Sequence, residues 1–248
     1  MTALVTFNDL TLGYDRHPAV HHLSGAIRSG DLLAVIGPNG AGKSTLFKGI
    51  AGLLKPLSGR IGCDGLKPRD IAYLPQAAEV DRSFPLTVYD LVAMGMWRRR
   101  GLFGGISRKD RAAIETALAA VGLNGFEARP IGTLSGGQLQ RALFARLLLQ
   151  DARVILLDEP FTAIDAKTAA DLFAIVRRWH EEARTVVAAL HDFELVRAGF
   201  PQTLLLAREP VAWGATSAVL TPENLLKARQ MCEAFDERAP ACALEAAA

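Results

Sequence analysis

Runs of apolar residues set the framework of this chain. Residues 32–36 and 154–157 are apolar at every position, which is typical of strands covered on both faces of a parallel sheet. Similar runs and helical periods surround them. Together they predict an α/β core, with strands near 59–63, 71–75, 185–190 and 203–206 and helices near 43–54, 165–183 and 192–198.

Two further regions have a different pattern. Apolar and polar residues alternate in segments of residues 4–36, which predicts an antiparallel β region. From about 85 to 150 the period becomes helical, most plainly at 112–121, until Pro130 and Gly132 interrupt it. We therefore expect a helical segment inserted into the α/β core.

A phosphate-binding loop follows the first fully apolar run. It fits the pattern G-x-x-x-x-G-K-[ST], between a predicted strand and a predicted helix, and comprises Gly37, Pro38, Asn39, Gly40, Ala41, Gly42, Lys43, Ser44 and Thr45. Its glycines let backbone amides turn toward phosphate oxygens, and the helix that follows adds its N-terminal dipole. Lys43 is placed to reach the β- and γ-phosphates of ATP, and the Ser44 hydroxyl to bind Mg²⁺.

An acidic pair ends the second fully apolar run. Asp158 and Glu159 fall at the carboxyl end of a predicted parallel strand, where α/β sheets bind ligands. Alone, such a pair is usually a solvated turn. Downstream of a phosphate loop it is better interpreted as a Walker B motif, in which Asp158 holds Mg²⁺ through water and Glu159 polarises the attacking water.

A third motif stands between these two. Leu134, Ser135, Gly136, Gly137 and Gln138 precede a helical stretch, and Ser135 is a natural N-cap followed by two glycine amides. Such a helix start is a second anion-binding site. The segment resembles the signature of the nucleotide-binding subunits of ABC transporters, and the resemblance extends over nearly the whole chain.

The resemblance implies an α/β fold: a P-loop NTPase core with an antiparallel β subdomain and an inserted α-helical signature subdomain, the ABC ATPase fold. A single domain would cover residues 1–243, with the core at about 1–84 and 151–243 and the helical lobe at about 85–150. The last five residues, 244–248, resemble a cloning remnant.

Four more positions match motifs of this family. Tyr14 resembles the aromatic residue that stacks on adenine, and Gln76 resembles the Q-loop glutamine that contacts Mg²⁺ or the attacking water. Asp165 resembles the D-loop aspartate of the dimer interface, although Thr-Ala-Ile-Asp departs modestly from the commoner sequence. His191 resembles the switch histidine that contacts the γ-phosphate. The implied catalytic residues are Glu159, His191, Gln76 and Lys43, and the implied Mg²⁺ ligands are Ser44, Gln76 and Asp158.

The family also implies partners. Two copies would associate head to tail, with ATP between Lys43 of one copy and Ser135 and Gly137 of the other. The dimer would drive a separate integral membrane permease from the cytoplasmic face of the membrane. A secreted or periplasmic metal-binding protein would be an indirect partner.

Composition agrees with such a subunit. Half of the 248 residues are hydrophobic, which allows a large core, and a formal net charge of +2 gives no argument for a nucleic-acid partner. No apolar run approaches the roughly 18–20 residues that span a bilayer, and the N-terminus lacks the pattern of an export signal. Cys63, Cys232 and Cys242 have neither metal-site nor disulfide spacing, which is consistent with a reducing cytosol.

The transported substrate is indicated only by analogy. Residues 84–95 and 220–225 resemble segments of bacterial zinc and manganese importer subunits, with zinc as the first choice. Iron-siderophore, haem and cobalamin importers have related segments and stay as alternatives. A soluble ABC-type ATPase is a more distant alternative, and a P-loop kinase would not need the signature segment.

Two groups of basic residues have no place in these motifs. His17, His21 and His22 are tempting in a metal importer, but their spacing favours surface or structural roles. The run of Arg98, Arg99 and Arg100 after Trp97 fits equally a contact with the permease or with lipid heads and a solvated turn.

Overall fold

The computed structural model describes residues 2–15, 17–97 and 105–233. The strands are β1 (Ala3–Tyr14), β2 (His17–Arg28), β3 (Leu32–Ile36), β4 (Ser58–Cys63), β5 (Ile71–Leu74), β6 (Val154–Asp158), β7 (Thr185–Ala189), β8 (Gln202–Ala207) and β9 (Glu209–Ala215). The helices are α1 (Lys43–Ile50), α2 (Val88–Ala93), α3 (Arg108–Ala120), α4 (Gly136–Gln150), α5 (Ala166–Glu181), α6 (Phe193–Gly199), α7 (Thr216–Val219) and α8 (Pro222–Glu233).

The chain forms two compact units. The first combines Met1–Pro68 with Val187–Ala248, and the second is the continuous segment Arg69–Val186. The division falls within β7. The described residues of the predicted helical lobe at 85–150 lie in the second unit, together with β5, β6 and α5.

The first unit contains two sets of paired strands. β1 is the centre of an antiparallel sheet in the order β2-β1-β4, where Val5 pairs with Ile27 on one side and Cys63 on the other. In the second set β3 pairs in parallel with β8, and β8 pairs antiparallel with β9. All five residues of β3 are buried, as the unbroken apolar run predicts.

The second unit pairs β5 with β6 in parallel and adds the helices of the predicted lobe. Three of its helices, α2, α3 and α4, begin with a capping box, in which a Ser or Thr hydroxyl and the side chain three residues later bond to each other's backbone amides. The core includes Phe144 of α4, which stacks on Trp179 of α5 with ring centres 5.7 Å apart. Caps therefore set where the helices begin, and aromatic packing joins them.

Most predicted elements are confirmed to within a few residues. The strands expected at 59–63, 71–75, 154–157 and 203–206 are β4, β5, β6 and β8, and the helix expected at 165–183 is α5. The sequence did not predict β9, α7 or α8. Arg98, Arg99, Arg100, Cys242 and the segment 244–248 lie outside the described residues.

Within the described ranges, no helix is both long enough and apolar enough to cross a bilayer.

Trp179 provides a test of the core of the second unit. Its side chain is 2% exposed, so Trp179→Ala should lower the free energy of unfolding by about 3–5 kcal/mol through lost burial and a new cavity. Urea unfolding followed by far-UV circular dichroism measures this loss. Trp97→Ala is the matched control, because Trp97 is 63% exposed and its truncation should cost less than about 0.5 kcal/mol. Equal losses would contradict the assigned core.

Candidate nucleotide-binding site

The phosphate loop joins β3 to α1 through a turn that only glycine fits at two points. Gly42 is the N-cap of α1 and has φ +92°, and a β-carbon there would lie 2.4 Å from the Ala19 carbonyl oxygen. A β-carbon at Gly37 would lie 1.9 Å from the Leu206 carbonyl oxygen. The glycines of the motif thus allow a close backbone approach, which fixes the start of α1 at Lys43.

Lys43 folds back over this turn. Its Nζ donates to the carbonyl oxygens of Gly37 at 2.8 Å and Pro38 at 3.0 Å, and the residue is 5% exposed. Asn39 and Gly40, at the tip of the loop, are exposed. A buried positive charge and the N-terminus of a helix therefore lie at one short turn, an arrangement that suits phosphate.

His191 lines a cavity beside the same turn. The Leu190 amide donates to the Val35 carbonyl over 3.1 Å, which places His191 just beyond the end of β3. The cavity has a volume of about 670 Å³ and is lined by Gly37, Pro38, Asn39, Leu190, His191, Phe193, Leu205, Leu225, Ala228 and Arg229. The last three residues belong to α8, whose part in this wall the sequence did not reveal. The sequence did carry a signal for the helix itself: Pro222 stands at the first helical position, after a Thr221 hydroxyl that accepts from the Asn224 amide at 3.3 Å.

Tyr14 is the last residue of β1 and is 48% exposed. In the antiparallel pairing of β1 with β2, Tyr14 lies opposite His17. A half-exposed ring at a strand end can stack on a planar ligand. The contact of Tyr14 with adenine stays a prediction.

Asp158 and Glu159 differ in burial and backbone. Asp158 ends β6 with no exposed surface, and its Oδ2 accepts from the Tyr73 hydroxyl at 3.2 Å. Glu159 is half-buried and has φ +51°, in the left-handed region that costs a non-glycine residue about 1–2 kcal/mol. Its Oε2 accepts from the Thr162 hydroxyl at 3.4 Å. One acid is sealed and oriented, and the other is partly open to water.

The signature segment is a capped helix start, as predicted. The Gln138 amide donates to Ser135 Oγ at 3.2 Å, and the Ser135 amide donates to Gln138 Oε1 at 3.0 Å. These two bonds do not involve the amides of Gly136 and Gly137, the first two of α4. Leu134, the residue before the capping serine, is 4% exposed, and its burial anchors the segment. The segment keeps the geometry of an anion-binding helix start.

Asp165 lies close to these glycines in the same unit. A β-carbon at Gly137 would be 3.8 Å from Asp165 Oδ2. Asp165 is the N-cap of α5 and accepts from the Thr168 amide at 2.9 Å and the Thr168 hydroxyl at 2.7 Å, and these bonds lower the pKa of its carboxyl group. Arg141 of α4 donates to Thr168 Oγ1 at 3.0 Å and pairs with Asp171 at 2.8 Å. The signature helix and the predicted D-loop are therefore joined by side chains.

Gln76 follows β5 and begins the single turn Ala77–Glu79, where it is half-buried. The first unit thus holds the phosphate loop, Tyr14 and His191. The second holds Gln76, Asp158, Glu159, Asp165 and the signature segment. Within each unit, the predicted residues lie at helix starts and strand ends.

None of the three histidines of β2 is fully buried, in line with the surface or structural roles interpreted from the sequence. His17 and His22 are exposed and His21 is half-buried. His22 Nδ1 lies 2.8 Å from Asp9 Oδ1, and burial lowers the pKa of His21. In the described part of the chain, no three His, Cys, Asp or Glu side chains gather into a metal site.

Comparison with known proteins decides the family. Residues 20–162 match the family model described as ABC transporter. The chain belongs to this family. It is 39% identical over 227 residues to the manganese transport system ATP-binding protein MntA of Synechocystis sp., covering 89% of this chain and 85% of that protein. It is also 39% identical over 221 residues to the manganese transport system ATP-binding protein MntB of Listeria monocytogenes, covering 87% and 92%.

A solved structure agrees. A transporter assigned to the metal-chelate ABC type, in an inward-facing conformation, matches with a TM-score of 0.81 and 30% identity, covering 92% of this chain and 90% of that one. The predicted α/β ABC ATPase fold is therefore confirmed, and this ABC protein is an ATP hydrolase.

Proposed function

We propose that this ABC ATPase binds ATP with Mg²⁺ between two copies of the chain and hydrolyses it to drive a separate membrane permease. The observation that carries the proposal is a pair of helix starts suited to anions, at Lys43 and at Gly136. The phosphate loop at Lys43 is enough to hold the phosphates of one ATP, so the helix start at Gly136 is left for a second ATP. A head-to-tail dimer uses both, because each copy completes the site of the other. The ATPase would then be peripheral to the membrane, on its cytoplasmic face.

The residues assigned to Mg²⁺ have suitable chemistry. Ser44 offers a hydroxyl, Gln76 an amide oxygen and Asp158 a carboxylate, and Mg²⁺ prefers oxygen ligands of this kind. When bound, the ion would neutralise charge on the β- and γ-phosphates. Lys43 would contact the same phosphates, and Tyr14 would stack on the adenine.

Burial supports separate tasks for the two acids. Asp158 is sealed and held by Tyr73, as suits a group that positions a metal. Glu159 is partly exposed on a turn, as suits a group that must reach water and polarise it for attack. His191, beside the phosphate loop, would contact the γ-phosphate and Asp165 the partner copy.

For the transported ion, we propose a divalent transition metal with manganese as the first candidate. Both relatives described above are ATP-binding proteins of manganese transport systems, whereas the zinc preference drawn from residues 84–95 and 220–225 has no such support. Zinc stays as the second candidate. A metal chelate is the third, by analogy with the structural relative.

Glu159→Gln tests the hydrolytic role. The amide keeps the shape of the side chain but cannot accept a proton from water, so steady-state hydrolysis should fall by at least about 100-fold while ATP binding is retained. Phosphate release and equilibrium binding of a fluorescent ATP analogue measure the two effects. Glu115→Gln, on the exposed face of α3, is the control and should hydrolyse ATP like wild type. Wild-type turnover by Glu159→Gln would refute the role.

Ser135→Ala tests the action of the signature on a second copy. Ser107 begins α3 with the same kind of capping box, in which its Oγ accepts a hydrogen bond from the Asp110 backbone amide at 3.3 Å. Ser107→Ala is therefore a matched control. Each change should cost about 1 kcal/mol of stability through the lost cap. Only Ser135→Ala should also lower ATP hydrolysis, by about tenfold or more, the size expected from losing a hydrogen bond to a charged phosphate.

Mixing variants shows whether Ser135 acts across the dimer. Lys43→Ala and Ser135→Ala each damage both sites of their own dimers, but a mixed dimer keeps one site with both residues intact. Hydrolysis should therefore rise above the level of either variant alone. No recovery in mixtures shown to exchange subunits would contradict the head-to-tail arrangement.

Uptake identifies the cargo. Cells that depend on this ATPase and its permease should accumulate radioactive manganese, and Glu159→Gln should abolish that accumulation. Excess unlabelled manganese should compete more strongly than zinc at equal concentration. Stronger competition by zinc would reverse the order of the two candidates, and competition only by an iron chelate would favour the third.

A further inference from the structure

Tyr73 of β5 contacts both the acidic end of β6 and the signature helix α4. Its hydroxyl donates to Asp158 Oδ2 at 3.2 Å, and its backbone carbonyl accepts from Arg146 Nη2 at 3.4 Å. All three residues belong to the second unit. Tyr73 lies outside the motifs described above.

The register of the strands explains the contact with Asp158. Tyr73 pairs with Leu156 in the parallel ladder of β5 and β6, so their side chains share one face. Leu156 and Asp158 also share that face, because side chains alternate along a strand. Two residues of strand span about 6.6 Å, a distance that the long phenol side chain can cover. The register of β5 and β6 therefore places the Tyr73 hydroxyl beside the Asp158 carboxylate.

Burial makes this hydrogen bond matter. Asp158 has no exposed surface, and a buried carboxylate needs donors to hold its charge. A phenol that donates to a carboxylate forms a charge-assisted bond, which is stronger than a neutral one and limits rotation of the acceptor. The bond thus favours one orientation of the Asp158 carboxylate.

Arg146 contacts the backbone of Tyr73. The guanidinium is largely buried, and burial lowers its pKa, yet arginine stays protonated in proteins. Its contact with the Tyr73 carbonyl ties the end of β5 to α4, the helix that begins at Gly136. Gln76 follows Tyr73 by three residues. One tyrosine therefore lies between the signature helix, the predicted Q-loop and the predicted metal-holding acid.

We propose that Tyr73 is a positioning residue for Mg²⁺, acting through Asp158 rather than by contact with the ion. The proposal rests on the proposed function, because it takes Asp158 as a group that holds the metal of Mg-ATP. Partners that orient a metal-binding carboxylate change metal affinity when removed, typically by about 10–100-fold. The loss of the Tyr73 hydroxyl should therefore weaken the metal contribution to nucleotide binding and leave the nucleotide contacts themselves intact.

Tyr73→Phe tests this without relying on turnover. The dissociation constant of a fluorescent ATP analogue is measured with the purified chain, once with Mg²⁺ and once with EDTA, and the ratio of the two gives the gain from the metal. In Tyr73→Phe this gain should be about tenfold smaller than in wild type, at the low end of the range for such partners. The dissociation constant in EDTA should stay within about twofold, since the phosphate loop is unchanged.

Tyr89→Phe is the matched control. Tyr89 is another half-buried tyrosine of the second unit, and its hydroxyl has no hydrogen-bond partner among the described residues. Its removal should leave the gain from Mg²⁺ at the wild-type value. The midpoint of thermal unfolding of Tyr89→Phe should lie close to that of wild type, and the midpoint of Tyr73→Phe a few degrees lower, because the buried Asp158 carboxylate loses a donor.

The outcomes separate the two proposals. A wild-type chain that binds no nucleotide, or binds it equally with and without Mg²⁺, would refute the proposed function and this inference with it. A wild-type chain with a clear gain from Mg²⁺ and a Tyr73→Phe variant with the same gain would refute the inference alone. A Tyr73→Phe chain that is unfolded at the temperature of the binding measurement would assign the hydroxyl to folding and also overturn it.

Discussion

Two close backbone contacts determine the phosphate loop. The loop passes the Leu206 carbonyl at Gly37 and the Ala19 carbonyl at Gly42 with no room for a β-carbon. These contacts set the curvature of the turn, and the curvature determines the positions of the residues that follow. It starts α1 at Lys43, brings the Lys43 ammonium onto two loop carbonyls, and leaves a cavity between the turn and His191. The chemistry of the first unit thus depends on missing side chains.

In the second unit, by contrast, side-chain caps determine where the helices begin. Its helices α2, α3 and α4 begin with the same reciprocal cap, so the cap alone does not make the signature special. The difference lies in the two residues after the capping residue, which are Gly136 and Gly137 in α4 and Arg108 and Lys109 in α3. Glycines leave the first amides of the helix uncovered, whereas long side chains can cover them. A common structural device becomes a candidate binding site through two small residues.

Local signals in the sequence predicted much of the fold. β3 and β6 are unbroken apolar runs, and the cap at Ser135 depends only on its own residues, so each could be read in place. β9 was missed because Pro210 and Gly214 weaken its pattern; its antiparallel pairing with β8 stabilises it nevertheless. The wall that α8 gives to the cavity, and the contact of Tyr73 with Asp158, depend on the register of distant segments. No local pattern contains that information.

The cap of α5 has a consequence for acid conditions. Thr168 donates two hydrogen bonds to Asp165, which keeps the carboxyl group ionised to a lower pH than an ordinary aspartate. A folded-state pKa below the unfolded value means that the cap stabilises the helix above the unfolded pKa and weakens only as the pH falls through the folded one. Mild acidification of the solution would therefore leave the Asp165 carboxylate ionised. The negative charge beside the signature glycines would persist at a pH that begins to protonate an ordinary aspartate.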